Sequence, residues 1–142
     1  MAIIGAKAFD GEYFASTGCA YVFTHSDGVW MQMARLESSD QSIDDGFGVA
    51  VSGVGIEMAI VGAEGDEIKS GAAYVFSLSP EESWKQIAKL MASDSASFSW
   101  FGSSVLGVGA EKAVIGAPGT NTDQGAAYVF SQSEGSWRQT TQ

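Results

Sequence analysis

Short apolar runs alternate along this chain with stretches of Gly, Ser and Asp, and the runs change character in a fixed order. Residues 47–52 (Phe-Gly-Val-Ala-Val-Ser) and 57–63 (Glu-Met-Ala-Ile-Val-Gly-Ala) are apolar on both faces, as expected of strands covered on two sides. The turn between them holds Gly53 and Gly55, which suit the positive φ of a tight hairpin. Residues 72–77 form a third apolar run, and 84–90 (Trp-Lys-Gln-Ile-Ala-Lys-Leu) alternate apolar with polar, the mark of a half-exposed strand. This gradient predicts a four-stranded antiparallel sheet stacked between neighbours, with only its outermost strand meeting solvent.

The order recurs. Gly71-Ala72-Ala73-Tyr74-Val75-Phe76 returns unchanged as Gly125-Ala126-Ala127-Tyr128-Val129-Phe130, and Gly18-Cys19-Ala20-Tyr21-Val22-Phe23 is a near copy. Tyr21, Tyr74 and Tyr128, Trp30, Trp84 and Trp137, and the pairs Phe47-Gly48 and Phe101-Gly102 all step by about 54 residues, the size of one propeller blade of four strands. The fold class read from this is all-β, built of four-stranded antiparallel β-propeller blades. The recurring aromatics are expected to pack between blades, and the small Val-Gly-Ala and Gly-Ala-Ala runs to let inner strands approach closely.

The chain holds about 2.6 such units, against the four to eight that close a propeller. The expected blades are an incomplete first at residues 1–42, a second at 43–96 and a third at 97–142. The first begins in its second strand at 2–6 and the last ends inside a fourth strand at 136–142, giving eleven strands. Such an arc exposes blade faces at both ends, which further copies of the chain would cover by assembling a ring, or other blades of a longer propeller.

Composition narrows the chemistry. Eighteen glycines against two prolines suit many tight turns and argue against long helices, and 45% hydrophobic residues suffice for a core. Seventeen acidic against seven basic residues give a formal charge of −10, which repels phosphate backbones and anionic lipid, so neither nucleic acid nor membrane insertion is expected. That acidity favours cations or basic protein surfaces, or serves solubility alone. No stretch approaches a membrane span, and the first residues do not read as an export signal. The single cysteine, Cys19, stands where the other copies have Ala72 and Ala126, so it reads as a small buried side chain.

The series Phe101-Gly102-Ser103-Ser104-Val105, Val114-Ile115-Gly116-Ala117-Pro118-Gly119, Gly125-Ala126-Ala127-Tyr128-Val129-Phe130 and then Trp137 resembles the FG-GAP repeat of integrin α-subunit propellers and related proteins. Copies one and two differ in having Lys7 and Glu64 where the third has Pro118. The resemblance implies an extracellular or cell-surface setting and partner binding through the loops between second and third strands and between blades. Many such blades carry a calcium loop of alternating carboxylates between the first two strands. Here those turns, Gly53-Val54-Gly55-Ile56-Glu57 and Gly107-Val108-Gly109-Ala110-Glu111, hold one carboxylate each, so no metal and no other cofactor is expected.

The loops that differ most between copies are 7–17, 37–46, 64–70, 91–100 and 118–124, where a rigid frame tolerates change and specific contacts are expected. The first is the longest and carries Phe9, Asp10, Glu12, Tyr13 and Phe14, rings beside carboxylates that suit stacking on a sugar or anchoring a protein partner, or else tuck beneath the loop. Phe98 and Trp100 form a second candidate patch, with burial as a cap the alternative reading. Asp44 with Asp45, Asp66 with Glu67, and Asn121 with Asp123 are candidate polar contacts that also read as solvated turn residues. His25 is the sole histidine and reads as an exposed turn residue; no catalytic elbow, phosphate-cradling loop or metal-spaced cluster is present, so no catalytic residue is assigned. The function expected is a noncatalytic binding or adhesion module for protein or carbohydrate, the alternative a structural subunit docked through its blade faces.

Overall fold

The computed structural model describes residues 1–7, 17–120 and 124–141, the side chains of 67 and 68 excepted. Among these described residues are eleven antiparallel strands in three sheets. The first sheet is β1 (Ala2–Ala6), β2 (Cys19–Ser26) and β3 (Val29–Leu36), in that order. The second is β4 (Phe47–Val54), β5 (Met58–Ala63), β6 (Ala72–Leu78) and β7 (Trp84–Leu90), with a single helical turn, α1 (Asp66–Lys69), between β5 and β6. The third is β8 (Ser104–Val108), β9 (Lys112–Ala117), β10 (Ala126–Ser133) and β11 (Ser136–Thr141). Sequence order equals spatial order within every sheet, as in a blade.

The sheets stack face to face, and the core is the two layers between them. One layer joins Ala20, Val22 and Leu36 of the first sheet to Phe47, Val61, Tyr74 and Phe76 of the second. The other joins Ile60, Val75 and Leu90 of the second to Phe101, Ile115, Tyr128 and Phe130 of the third. The middle sheet is therefore apolar on both faces, which is why β5 and β6 lack the alternation of β7.

Close approach depends on glycine. A β-carbon at Gly62 of β5 would collide with the carbonyl of Gly102, and one at Gly102 (φ +91°) with the carbonyl of Ala72. The same contacts recur one sheet earlier between Gly5 and Gly48 and between Gly48 (φ +90°) and Cys19. In each Phe-Gly pair the phenyl ring is buried against the tyrosine and phenylalanine of its own sheet's third strand, Phe47 at 5.6 Å from Tyr74 and Phe101 at 5.4 Å from Tyr128, ring centre to ring centre. The motif thus packs a ring where the neighbouring backbone leaves no room for a second side chain.

Three details differ from the sequence reading. Trp84 and Trp137 pack against the two core layers, whereas Trp30 is 57% exposed because no sheet covers its side of β3. His25 lies within β2 rather than in the turn, paired with Trp30 at 5.0 Å between ring centres, and the turn is Asp27-Gly28. β4 runs through Gly53 to Val54, leaving Gly55 (φ +64°) as the hairpin's positive-φ glycine. Cys19 is buried and free, as its place among alanines implied.

Ile4 and Ile115 hold the same place in their repeats, yet Ile4 is 54% exposed and Ile115 fully buried. Ile115→Ala should therefore lower stability by about 2–5 kcal/mol, while Ile4→Ala should change it by no more than about 0.5 kcal/mol. Chemical denaturation of the two variants checks the difference.

Candidate functional site

The segment between β3 and β4 and the turn between β5 and β6 meet at one end of the first two sheets. Three aspartates converge there. Tyr74, buried on β6, has its hydroxyl 2.9 Å from Asp40 Oδ1 and 2.6 Å from Asp66 Oδ2, so its single proton is shared between two carboxylates. The Lys89 ammonium bridges the same pair at 2.8 Å from Asp40 Oδ2 and 2.7 Å from Asp66 Oδ2, and lies 5.5 Å from the Tyr74 ring centre. Asp45, also buried, accepts a hydrogen bond of 2.6 Å from the Ser42 backbone N–H.

The titration of this group follows from its contacts. Burial alone would raise the Asp40 carboxyl, but hydrogen bonds from Lys89 and Tyr74 and the ammonium charge outweigh it and hold the group below the usual range. Asp45 moves the other way: burial, and the nearby charges of Asp66 and Asp40, raise it despite the Ser42 hydrogen bond. Lys89 loses hydration by burial yet is raised, because both aspartates favour its charged form. Tyr74 is raised by burial and by the two carboxylates it faces. With three carboxylates around one ammonium, the cluster carries a net negative charge.

A cleft of about 540 Å³, within the usual range for small ligands, opens beside this cluster. Asp44, Asp45 and Asp66 line it with Lys69, and Ile43 and Phe98 supply its apolar wall. Ile43 is 62% and Phe98 54% exposed, so the wall faces solvent. Phe98 and Trp100 both hold positive φ, +64° and +50°, a conformation that ring-bearing residues seldom adopt. Donation from Trp100 N–H to Lys69 O and from Ser99 Oγ to Ser70 O, at 3.0 and 2.8 Å, fixes the segment and keeps Phe98 turned outward.

Of the sequence candidates, Asp44, Asp45, Asp66 and Phe98 thus come together. Asp45 and Asp66 are buried hydrogen-bonded groups rather than solvated turn residues, and Trp100 is half-buried beside Gly119, its ring centre 6.5 Å from that of Phe98 with the two planes at 74°. Glu67 lies in α1, its side chain outside the described set, and Phe9, Asp10, Glu12, Tyr13, Phe14, Asn121 and Asp123 lie outside the described residues. The residues that sequence reasoning missed are Asp40, Tyr74 and Lys89. A signal existed, because Asp94 sits in the same place as Asp40 one repeat later and accepts from the Tyr128 hydroxyl at 2.8 Å. The full cluster is not repeated, since the third sheet has Thr120 where the second has Asp66. Among the described residues no group of His, Cys, Asp and Glu is arranged to hold a metal ion.

The model of the FG-GAP repeat matches residues 30–76 and 84–130. The chain belongs to the FG-GAP repeat family. Each matched segment runs from the last strand of one sheet to the third strand of the next, so the sequence unit straddles the interface between sheets and includes the Asp-bearing segment, the Phe-Gly pair and the tyrosine. A search of curated proteins finds no match.

Asp45 has its folded pKa raised, so it adds stability below the ordinary carboxylate value of 3.8 and loses it as pH rises through the folded value. Asn mimics the protonated form and keeps an oxygen for the Ser42 N–H. Asp45→Asn should therefore match or exceed the parent in thermal stability at pH 7, the difference shrinking toward zero below about pH 4. Melting curves across that range check the sign.

Proposed function

We propose that this FG-GAP protein is a noncatalytic binding module whose loop face engages a protein or carbohydrate partner, in an extracellular or cell-surface setting consistent with adhesion. The observation that carries the reading is the cleft, where an exposed, backbone-fixed phenyl ring and an isoleucine stand beside three carboxylates. A strained aromatic held outward on a rigid frame is the kind of anchor that binding surfaces use. The surrounding negative charge favours a partner that brings a cationic group, and rejects phosphate and sulfate groups.

A second reading, a subunit docked through its blade faces into a larger assembly, is favoured by a separate observation. Ile4, Trp30 and Met33 on the first sheet, and Leu106 and Val108 on the third, are all more than two-fifths exposed. Apolar surface of this kind on an open sheet marks an interaction site.

The first reading is tested by screening the chain against a glycan array and a panel of basic proteins. Any ligand found should lose roughly tenfold or more in affinity with Phe98→Ala, and a smaller amount with Asp44→Asn. Unchanged affinity in both variants would remove the cleft from the account.

A further inference from the structure

Two of the three sheets receive the same insertion from the segment that precedes them. In the second, Asp40 reaches the Tyr74 hydroxyl and the Lys89 ammonium, the Ser39 N–H donates to Gln86 Oε1 at 2.9 Å, and Phe47 packs on Tyr74 and Phe76 before the chain continues as β4 beside β5. In the third, Asp94 reaches the Tyr128 hydroxyl, the Ser93 N–H donates to Gln139 Oε1 at 2.9 Å, and Phe101 packs on Tyr128 and Phe130 before β8 runs beside β9. In both, the aspartate precedes the phenylalanine by seven residues.

The first sheet presents the matching acceptor. Tyr21 pairs with Arg35 across β2 and β3 as Tyr74 pairs with Lys89 across β6 and β7, and Gln32 stands opposite Phe23 as Gln86 stands opposite Phe76. Among the described residues no aspartate reaches this set, the Arg35 side chain is 53% exposed and pairs with Glu37, and β1 is paired with β2 alone. Tyr21 and Phe23 are half-buried where Tyr74 and Phe76 are covered. Both Ser-Asp to Phe-Gly segments of these 142 residues are already engaged in their own sheets, so a folded second copy presents neither of them free.

We propose that the first sheet is an acceptor for an extended segment of the form Ser-Asp, six residues, Phe-Gly, supplied from outside these 142 residues, which adds to β1 as a fourth strand. Its carboxylate meets the Tyr21 hydroxyl and the Arg35 guanidinium, and its phenyl ring packs on Tyr21 and Phe23. Backbone pairing along β1 supplies affinity, while the aspartate and phenylalanine supply selectivity. A guanidinium binds a carboxylate through two parallel hydrogen bonds, so Arg35 suits this role at least as well as Lys89 does. The inference rests on the docking reading and concerns a surface separate from the loop cleft, so Phe98→Ala leaves it unchanged.

The probe is a capped peptide of residues 39–54, which contains no tryptophan, titrated into the full chain. Hydrogen exchange of the β1 amides and tryptophan fluorescence report binding. The account expects the β1 amides to become protected, the Trp30 signal to shift, and affinity to fall about tenfold or more when the peptide carries Asp40→Asn or Phe47→Ala. On the receptor side, Arg35→Met should weaken binding while Arg35→Lys, which reproduces the second sheet, retains it; the peptide variants decide the matter if a receptor variant does not fold. Absence of β1 protection, equal affinity of all peptides, or a dimer of the chain alone that already buries Trp30 would each overturn the proposal.

Discussion

The approach of one sheet's backbone to the next at the Phe-Gly pairs is the constraint from which the rest of this structure follows. Glycine at positions 48 and 102 holds a φ near +90° with a neighbouring carbonyl where a side chain would stand. That geometry is open to glycine and strained for other residues. It brings the inner strands together, and the widening space farther out must then be filled, which the phenylalanine of the same pair and the Tyr-x-Phe of the third strand do. Small residues inside and rings outside are thus two consequences of one wedge-shaped stacking of sheets.

The same stacking explains the polar layer. A tyrosine long enough to reach the end of its strand carries its hydroxyl to the loop face, where it needs an acceptor once buried. The segment arriving from the preceding sheet provides one, Asp40 for Tyr74 and Asp94 for Tyr128, and a serine N–H capped by a glutamine fixes the same segment. A buried hydroxyl left without a partner costs about 1–3 kcal/mol, so this layer sets the register of one sheet against the next as well as stabilising it. Where a third carboxylate, Asp45, is added beside Asp40 and Asp66, the layer becomes a charged rim for the cleft. The outlying Lys7 to Glu64 ion pair of 2.6 Å joins the first two sheets on that face, but its exposure limits it to about 0–1 kcal/mol.

Much of the fold was legible because repetition and periodicity state it twice. The Tyr, Trp and Phe-Gly spacings give the sheet count, and the loss of alternation in residues 57–63 and 72–77 marks strands covered on both faces. Exposure at the arc's outer faces was legible as a principle but not residue by residue: Trp30 shares its repeat position with Trp84, and only the absence of a covering sheet separates them. The site was half legible. Variable loops point to Asp44, Asp45, Asp66 and Phe98, whereas Asp40, in the same loop 37–46, is set apart only by its counterpart Asp94 one repeat later and by the tyrosine each of them meets. Sequence variation points to where partners are met, and sequence repetition to what holds the meeting place still. The bridging by Lys89 required knowing that β7 lies beside the segment preceding β4, a contact that no local pattern encodes.

The stacking itself is tested most directly by thermal unfolding of Gly102→Ala, read against the parent chain. A methyl group there has nowhere to go without separating the second and third sheets, so the account predicts destabilisation of about 1–3 kcal/mol or more. It also predicts faster exchange of the amides on both sides of that interface. A variant with the parent's melting temperature and unchanged protection of β5 and β8 would contradict the claim that backbone contact at the Phe-Gly pairs holds these sheets together.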